Sequence, residues 1–275
     1  MIEIPEAINL SDQLVKTLNG KTIEYVVANH SPHKFAWFFG DPNRYGALLN
    51  GKTINGSKAV AGHVEMHAEE CCVLFEGGVT LKFLEKNEPE PLKHQLHIRF
   101  NDGTALIGSI QMYGGLWAYV DGQNENSYYL VAKEKPSPMT DSFNEVYFNE
   151  LFAQVKKTLS VKAFLGTEQR IPGLGNGVLQ DILFNAQIHP KTKIETLDAK
   201  QIRTVFDSIK QTLSEMTLNG GRDVEKDIFG NPGGYKTKLS AKTKGTPCPI
   251  CNTTILCEAY LGGKIYYCPK CQQQH

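Results

Sequence analysis

The sequence has no apolar run long enough to cross a bilayer as a helix. Its opening, "MIEIPEAINLSDQ", lacks the basic start and apolar core of a secretory signal. It has no net charge, with 29 Lys+Arg against 29 Asp+Glu, so bulk electrostatics alone point to neither a nucleic acid nor a membrane surface. It has no internal repeat and no low-complexity tract, which removes solenoids and disordered tails. Outside one place, cysteine is scarce. Four of the seven form the two Cys-x-x-Cys pairs Cys248/Cys251 and Cys268/Cys271, leaving Cys71, Cys72 and Cys257. An odd remainder does not suit an oxidised, secreted scaffold. These absences together predict a cytoplasmic protein with no membrane partner.

What is present is a globular composition, with 41% hydrophobic and 21% charged residues in a chain of 275. That length makes more than one domain the default. The charge is unevenly spread. Residues 1–135 carry 12 basic and 16 acidic side chains, whereas residues 136–275 carry 17 and 13. From Lys236 onward six lysines face a single acid, Glu258. A polyanion would therefore meet the C-terminal half first; a solvated lysine-rich loop accounts for the charge equally well.

Ile8, Leu14, Val15 and Leu18 recur at helical spacing after Pro5, and Gly20 supplies a stop, so residues 5–19 read as a helix. Short β-type runs follow: "KTIEYVVAN", "CCVLFEGGVTLKFL", "HQLHIRF", "TALIGSI", "LWAYV" and "SYYLVA". They predict a β-sandwich-like domain over 1–135. "KEKPSPMTD" reads as a linker. The period then turns helical, with Ser142 and Glu145 as a capping box and further helices over 177–187 and 199–217. The expected class is a multidomain α+β protein, with a helical module over 136–235 and a separate module over 236–275.

Two stretches carry chemistry. "CPICNTTILCEAYLGGKIYYCPKC" is Cys-x2-Cys-x16-Cys-x2-Cys. Cys248, Cys251, Cys268 and Cys271 match a closed tetrahedral zinc site, structural rather than catalytic, with one Zn2+ per chain. A redox Cys-x-x-Cys needs only two cysteines and a thioredoxin-like βαβ setting, and neither fits. The residues between read as a β-hairpin turning at Gly262-Gly263, with Cys257 as a packing residue. In "EQRIPGLGNGVLQDILFNAQIHP", Pro172, Gly173, Gly175 and Asn176 form a tight turn onto a helix. Such a turn suits a phosphate, with Asn176 adding a donor; a plain helix–helix connection remains the alternative.

Together, "KAFLGTEQRIPGLGNGVLQDILFNAQIHP", "DIFGNPGGY" and the cysteine hairpin resemble the Fpg/Nei family of DNA base-excision glycosylases. "MIEIPEA" is similar to that family's Met-Pro-Glu-Leu-Pro-Glu opening. The resemblance spans the chain by layout and is specific over 162–190 and 227–272. It implies an N-terminal helix and β-sandwich, a helix–two-turn–helix module and a zinc-bound hairpin that grips duplex DNA. It also implies a monomer that meets damaged or abasic duplex DNA and lies with the nucleoid when bound. Lys162 and the Gly175–Asn176 turn would hold phosphates beside the lesion, and the damaged nucleotide would be flipped out.

The sequence departs from the family at several of its working residues. The family's nucleophile is an N-terminal proline, and Ile2 stands here instead, so the Met1 amine is the remaining candidate for imine formation. Glu3 and Glu6 match the family's two acids; Glu3 is either the proton donor or base beside the sugar or a surface acid at a helix start. His63 falls where the family has a lysine. The intercalating loop falls at "SIQMYGG", with Met112 and Tyr113 either wedging between bases or packing in the core. The hairpin arginine falls at Gly263, with Lys264 adjacent, and lysine lacks the planar bidentate grip. The resemblance thus implies either a glycosylase, with or without lyase action, or a catalytically silent DNA-binding protein.

Overall fold

A computed structural model describes residues 1–274. The chain forms two compact units: residues 1–133 with 219–234, and residues 134–218 with 235–275. Among the described residues no helix is long and apolar enough to cross a membrane.

The first unit opens with α1 (Ile4–Leu18) and continues through β1 (Ile23–Ala28), β2 (Ala36–Trp37) and α2 (Tyr45–Leu49). Then come β3 (Ile54–Val60), β4 (His63–Ala68), β5 (Cys71–Leu84), β6 (Leu96–Phe100) and β7 (Ala105–Val120). Hydrogen bonding gives one sheet in the order β1-β6-β7-β5-β4-β3, antiparallel throughout, with β2 added to β7 in parallel. The expected sandwich is a single sheet folded over itself. β5 and β7 are long enough to serve both arms: residues 71–76 of β5 carry β4, while residues 105–108 of β7 carry β6.

The fold occurs where the register breaks between Gly77 and Val79. Gly77 has φ +67, and a Cβ on Gly78 would sit 2.7 Å from the Tyr113 carbonyl oxygen, so both positions require glycine. One core joins Ile23, Val26 and Ile98 of one arm to Ile54, Val64 and Met66 of the other. Ala7, Leu10, Leu14 and Leu18, spaced three or four apart, make the stripe by which α1 enters that core against β3 and β4. The segment 219–234 completes the unit: Ile228 is fully buried in the same core, and its carbonyl accepts from the Phe83 N–H at 2.7 Å.

"SYYLVA", expected as a strand, lies in α3 (Ser127–Glu134). Asn126 Oδ1 accepts from the N–H of Tyr128 and Tyr129, starting a helix that tyrosine propensity alone would not choose.

The second unit comprises α4 (Glu145–Ala153), α5 (Val161–Gly166), α6 (Asn176–Asn185), α7 (Ala199–Leu218), β8 (Leu256–Tyr260) and β9 (Gly263–Tyr267). Asn144, not Ser142, caps α4, accepting from Tyr147 N–H at 3.0 Å. The β8–β9 hairpin turns at Leu261-Gly262, one residue earlier than expected; both have positive φ (50 and 70), the signature of a type I′ turn. The segment from Tyr235 onward lies in one compact unit with these helices. Buried Asp181 of α6 accepts from the N–H groups of Lys238 and Leu239, both at 2.8 Å, and Phe184 of α6 shares a core with Cys248, Ile255 and Cys268.

Candidate functional site

In the first unit the chemistry gathers at the start of α1. Glu3 is the N-cap, and its side chain and that of Glu6 close a reciprocal capping box. Both carboxylates are buried, and both meet Arg222, which is 2% exposed. The Arg222 guanidinium lies 3.3 Å from Glu3 Oε2 and donates to Glu6 at 2.8 and 2.9 Å and to the Met1 carbonyl at 3.3 Å. Burial works against the Arg222 charge, but Glu3 and Glu6 outweigh it and keep the guanidinium protonated. The Met1 amine pairs with Glu225 at 2.5 Å. Ile2 is buried, and its N–H donates to the Gly77 carbonyl at 2.7 Å.

The sequence reasoning missed Arg222 and Glu225. They lie more than 200 residues from the acids they serve, inside "GGRDVE", a string with no periodic signal.

Around this group the other candidates are unequal. Tyr113 reaches the Met1 thioether with its hydroxyl, and burial together with the charges of Glu3 and Glu76 raises its pKa. Met112 is 65% exposed and Tyr113 36%, so neither is a core residue. β2 brings Trp37 to 5.7 Å from the Tyr113 ring, and Phe35, Trp37, Met112 and Tyr113 line one open apolar hollow. His63 is buried with both ring nitrogens engaged: Nε2 with Glu76 at 2.9 Å and Nδ1 with the Val60 carbonyl at 3.1 Å.

In the second unit the structure brings together Lys162, Asn176 and Lys264. The Lys162 ammonium donates to the Tyr260 carbonyl at 2.8 Å, and Asn176 Nδ2 donates to the Lys264 carbonyl at 3.0 Å. A Cβ on Gly263 would lie 3.8 Å from both Asn176 Nδ2 and Lys162 Nζ, which leaves the hairpin tip close to the glycine turn. Gly173 has φ +78, and Gly175 is the N-cap of α6 without a side-chain cap. Burial lowers the Lys162 pKa, and among the described residues no carboxylate lies within ion-pair distance of it.

Gln180 was also missed. Its amide mimics a strand neighbour, donating to the Lys264 carbonyl at 3.0 Å and accepting from Tyr266 N–H at 3.1 Å. Gln180→Ala should therefore loosen β9 by about 2 kcal/mol, near the sum of two ordinary hydrogen bonds. Amide exchange at Tyr266 should accelerate accordingly; unchanged protection there would remove Gln180 from the account.

The four cysteines fit a metal. None forms a disulfide, and their sulfurs lie within 4.8 Å of one another. Cys248 to Cys271 is 3.8 Å and Cys251 to Cys268 is 3.4 Å. Sulfurs placed ~2.3 Å from a tetrahedral zinc are about 3.8 Å apart. The Ile250 and Cys271 N–H groups point at Cys248 Sγ and Cys268 Sγ, each at 3.4 Å. Hydrogen bonds from Thr253 hold the Cys251 thiol down to about 6, whereas burial pushes Cys268 and Cys271 up. A divalent cation resolves that conflict, since all four would bind it as thiolates. Cys257 packs beside the cluster and is not among the four.

The profile of the formamidopyrimidine-DNA glycosylase H2TH domain matches residues 135–226. Formamidopyrimidine-DNA glycosylase from Bacillus anthracis is 29% identical over 279 residues, covering 99% of each chain. The enzyme of that name from Aliivibrio fischeri is 27% identical over 277 residues, 99% of this chain and 98% of the other. Among solved structures, MutM (Fpg) from Thermus thermophilus shares the fold with a TM-score of 0.81 at 22% identity, over 99% of both chains. Lactococcus lactis Fpg, solved with DNA containing an abasic site, gives 0.84 at 22% identity, over 99% of this chain and 100% of the other. Its helical module thus matches the formamidopyrimidine-DNA glycosylase H2TH domain, and its full length is similar in sequence to enzymes of that name and shares the fold of the solved Fpg structures.

Proposed function

We propose that the chain binds damaged or abasic duplex DNA and acts in base-excision repair as a DNA glycosylase, with or without lyase action. The observation that carries the reading is Lys162: a buried ammonium with no carboxylate partner among the described residues, beside Asn176 and the hairpin backbone. A cation so placed favours an anion, and the row Lys162, Gly175, Asn176, Lys264 suits a phosphate backbone. The relatives named above are DNA glycosylases, and the Lactococcus lactis protein is seen with abasic-site DNA. Zinc at the four cysteines would hold the hairpin rigid and supply no chemistry. The exposed Met112 and Tyr113 are the side chains placed to wedge into a base stack, while the engagement of His63 leaves it a supporting role.

For the chemistry, Glu3 is the proton donor or water-activating base. The Met1 amine is the nucleophile, giving its proton to Glu225 before it attacks the sugar C1′. The C1′–N bond to the base then breaks and the base leaves with a proton from Glu3; the new C1′-bound ammonium passes a proton to O4′ as the C1′–O4′ bond breaks, which opens the sugar ring and leaves a Schiff base. One observation favours the silent DNA binder instead: the Ile2 nitrogen is spent on Gly77 and the Met1 amine on Glu225, so neither is a free nucleophile in this state.

Borohydride trapping on an abasic duplex, run beside a gel shift and an intact-mass measurement of the N-terminus, separates the two. The expected result is a covalent adduct at residue 1 that Glu3→Gln reduces by about 10²-fold or more. Retained binding with neither adduct nor base release selects the silent reader. No duplex binding at low salt sinks both.

A further inference from the structure

One cluster in the first unit belongs to none of the groups above. Glu90 and His94 stand in the connection between β5 and β6, and His97 is on β6. One ligand atom from each lies within 4.8 Å of the others. The two histidines are each 3% exposed, while Glu90 is open to solvent. We propose that Glu90, His94 and His97 form a second zinc site, which fastens the 85–95 connection to the β1–β6 arm.

The His94 tautomer is fixed by its partner. Its Nδ1 lies 2.8 Å from the Pro91 carbonyl oxygen, which can only accept, so Nδ1 carries the hydrogen and neutral His94 bears its lone pair on Nε2. A backbone carbonyl holding the far nitrogen is the support that metal-bound histidines use. His97 supplies the second observation. Its Nδ1, the nitrogen on the Glu90 side of the ring, lies 3.6 Å from Glu90 Oε2. That separation is too long for a hydrogen bond. It is close to the ~3.4 Å between two ligands that each sit about 2.1 Å from a tetrahedral ion.

Two imidazoles and one carboxylate make a borderline donor set of the kind zinc takes, with a fourth position left for water. Glu90, on the solvent side, has the freedom to close on the ion. His30 stacks flat on His94, with centroids 4.3 Å apart and planes 8° apart, which restrains that ring. The connection is otherwise held to the 29–31 turn by Ser31 N–H to the His94 carbonyl and by the Gln95 amide to the Ser31 carbonyl. The metal would add a clasp where those bonds end.

The full-length chain, saturated with zinc chloride and dialysed, should retain two zinc ions. His97→Ala and Cys268→Ser should each retain one, and the double variant none. Loaded with cobalt, wild type should show thiolate charge-transfer bands that Cys268→Ser removes and His97→Ala leaves in place. Glu90→Gln, at an exposed position, guards against misfolding of the histidine variant. It should weaken the second zinc by about tenfold or more with unchanged tryptophan fluorescence. A single zinc in wild type, lost entirely in Cys268→Ser, would overturn the proposal, as would full retention of both ions in Glu90→Gln and His97→Ala.

Discussion

Arg222→Ala should destabilise the first unit by about 3–5 kcal/mol, the range seen when one member of a buried ion cluster is removed. The loss is not the strength of one contact. Glu3 and Glu6 would remain, both buried, with their only guanidinium gone. Removing the mismatch should return part of the loss, so a variant that also carries Glu3→Gln and Glu6→Gln should be more stable than Arg222→Ala alone. Both tryptophans, Trp37 and Trp117, lie in the first unit, so urea unfolding followed by their fluorescence reads this unit by itself. A midpoint within experimental error of wild type would refute the assignment of Arg222 as the keystone of the α1 entrance.

Cys268→Ser should act on the other unit and leave that fluorescence transition where it is. One zinc per chain should be lost, and with it the shared core of Phe184, Leu239, Ile255 and Tyr266, since a metal at the four sulfurs would tie the two cysteine turns together. Structural zinc in small modules contributes on the order of 10 kcal/mol, so the hairpin has no folded alternative. Duplex affinity should fall by about two orders of magnitude or more, because several backbone contacts vanish together. A Cys268→Ser chain that binds duplex DNA as tightly as wild type would mean that the hairpin is not the grip.

How much of this was readable in advance depended on range. The four-cysteine cluster, α1 and the glycine turn are local patterns, and each lies where its spacing put it. β3 and β4 went unread because their logic is distant. β4 buries Glu65, which no strand pattern would place inside. Burial pushes its pKa up, but hydrogen bonds from His67 and Tyr129 and the charge of Lys58 outweigh it and hold the carboxyl at about 2. Those partners come from its own strand, from α3 and from β3, so neither the strand nor the "SYYLVA" helix makes sense without the other. The hairpin turn was misplaced by one residue because Gly262-Gly263 is the more obvious signal, whereas the strand register puts Leu261 in the left-handed region. The ties between α6 and the chain beyond residue 235 were unreadable for a similar reason: Asp181 and Gln180, mid-helix polar residues with nothing local to bond, are satisfied by the segment that follows.

The first unit is written in two pieces, with most of the second unit's chain interposed between Lys133 and Asn219. On the ribosome, the helix and sheet emerge long before Arg222 does. The nascent 1–133 stretch must wait, with two inward-facing carboxylates uncompensated, while 85 further residues are translated, and it can close only when the "GGRD" loop arrives. Cutting the gene at the apparent linker would therefore yield an orphaned half rather than a transferable domain.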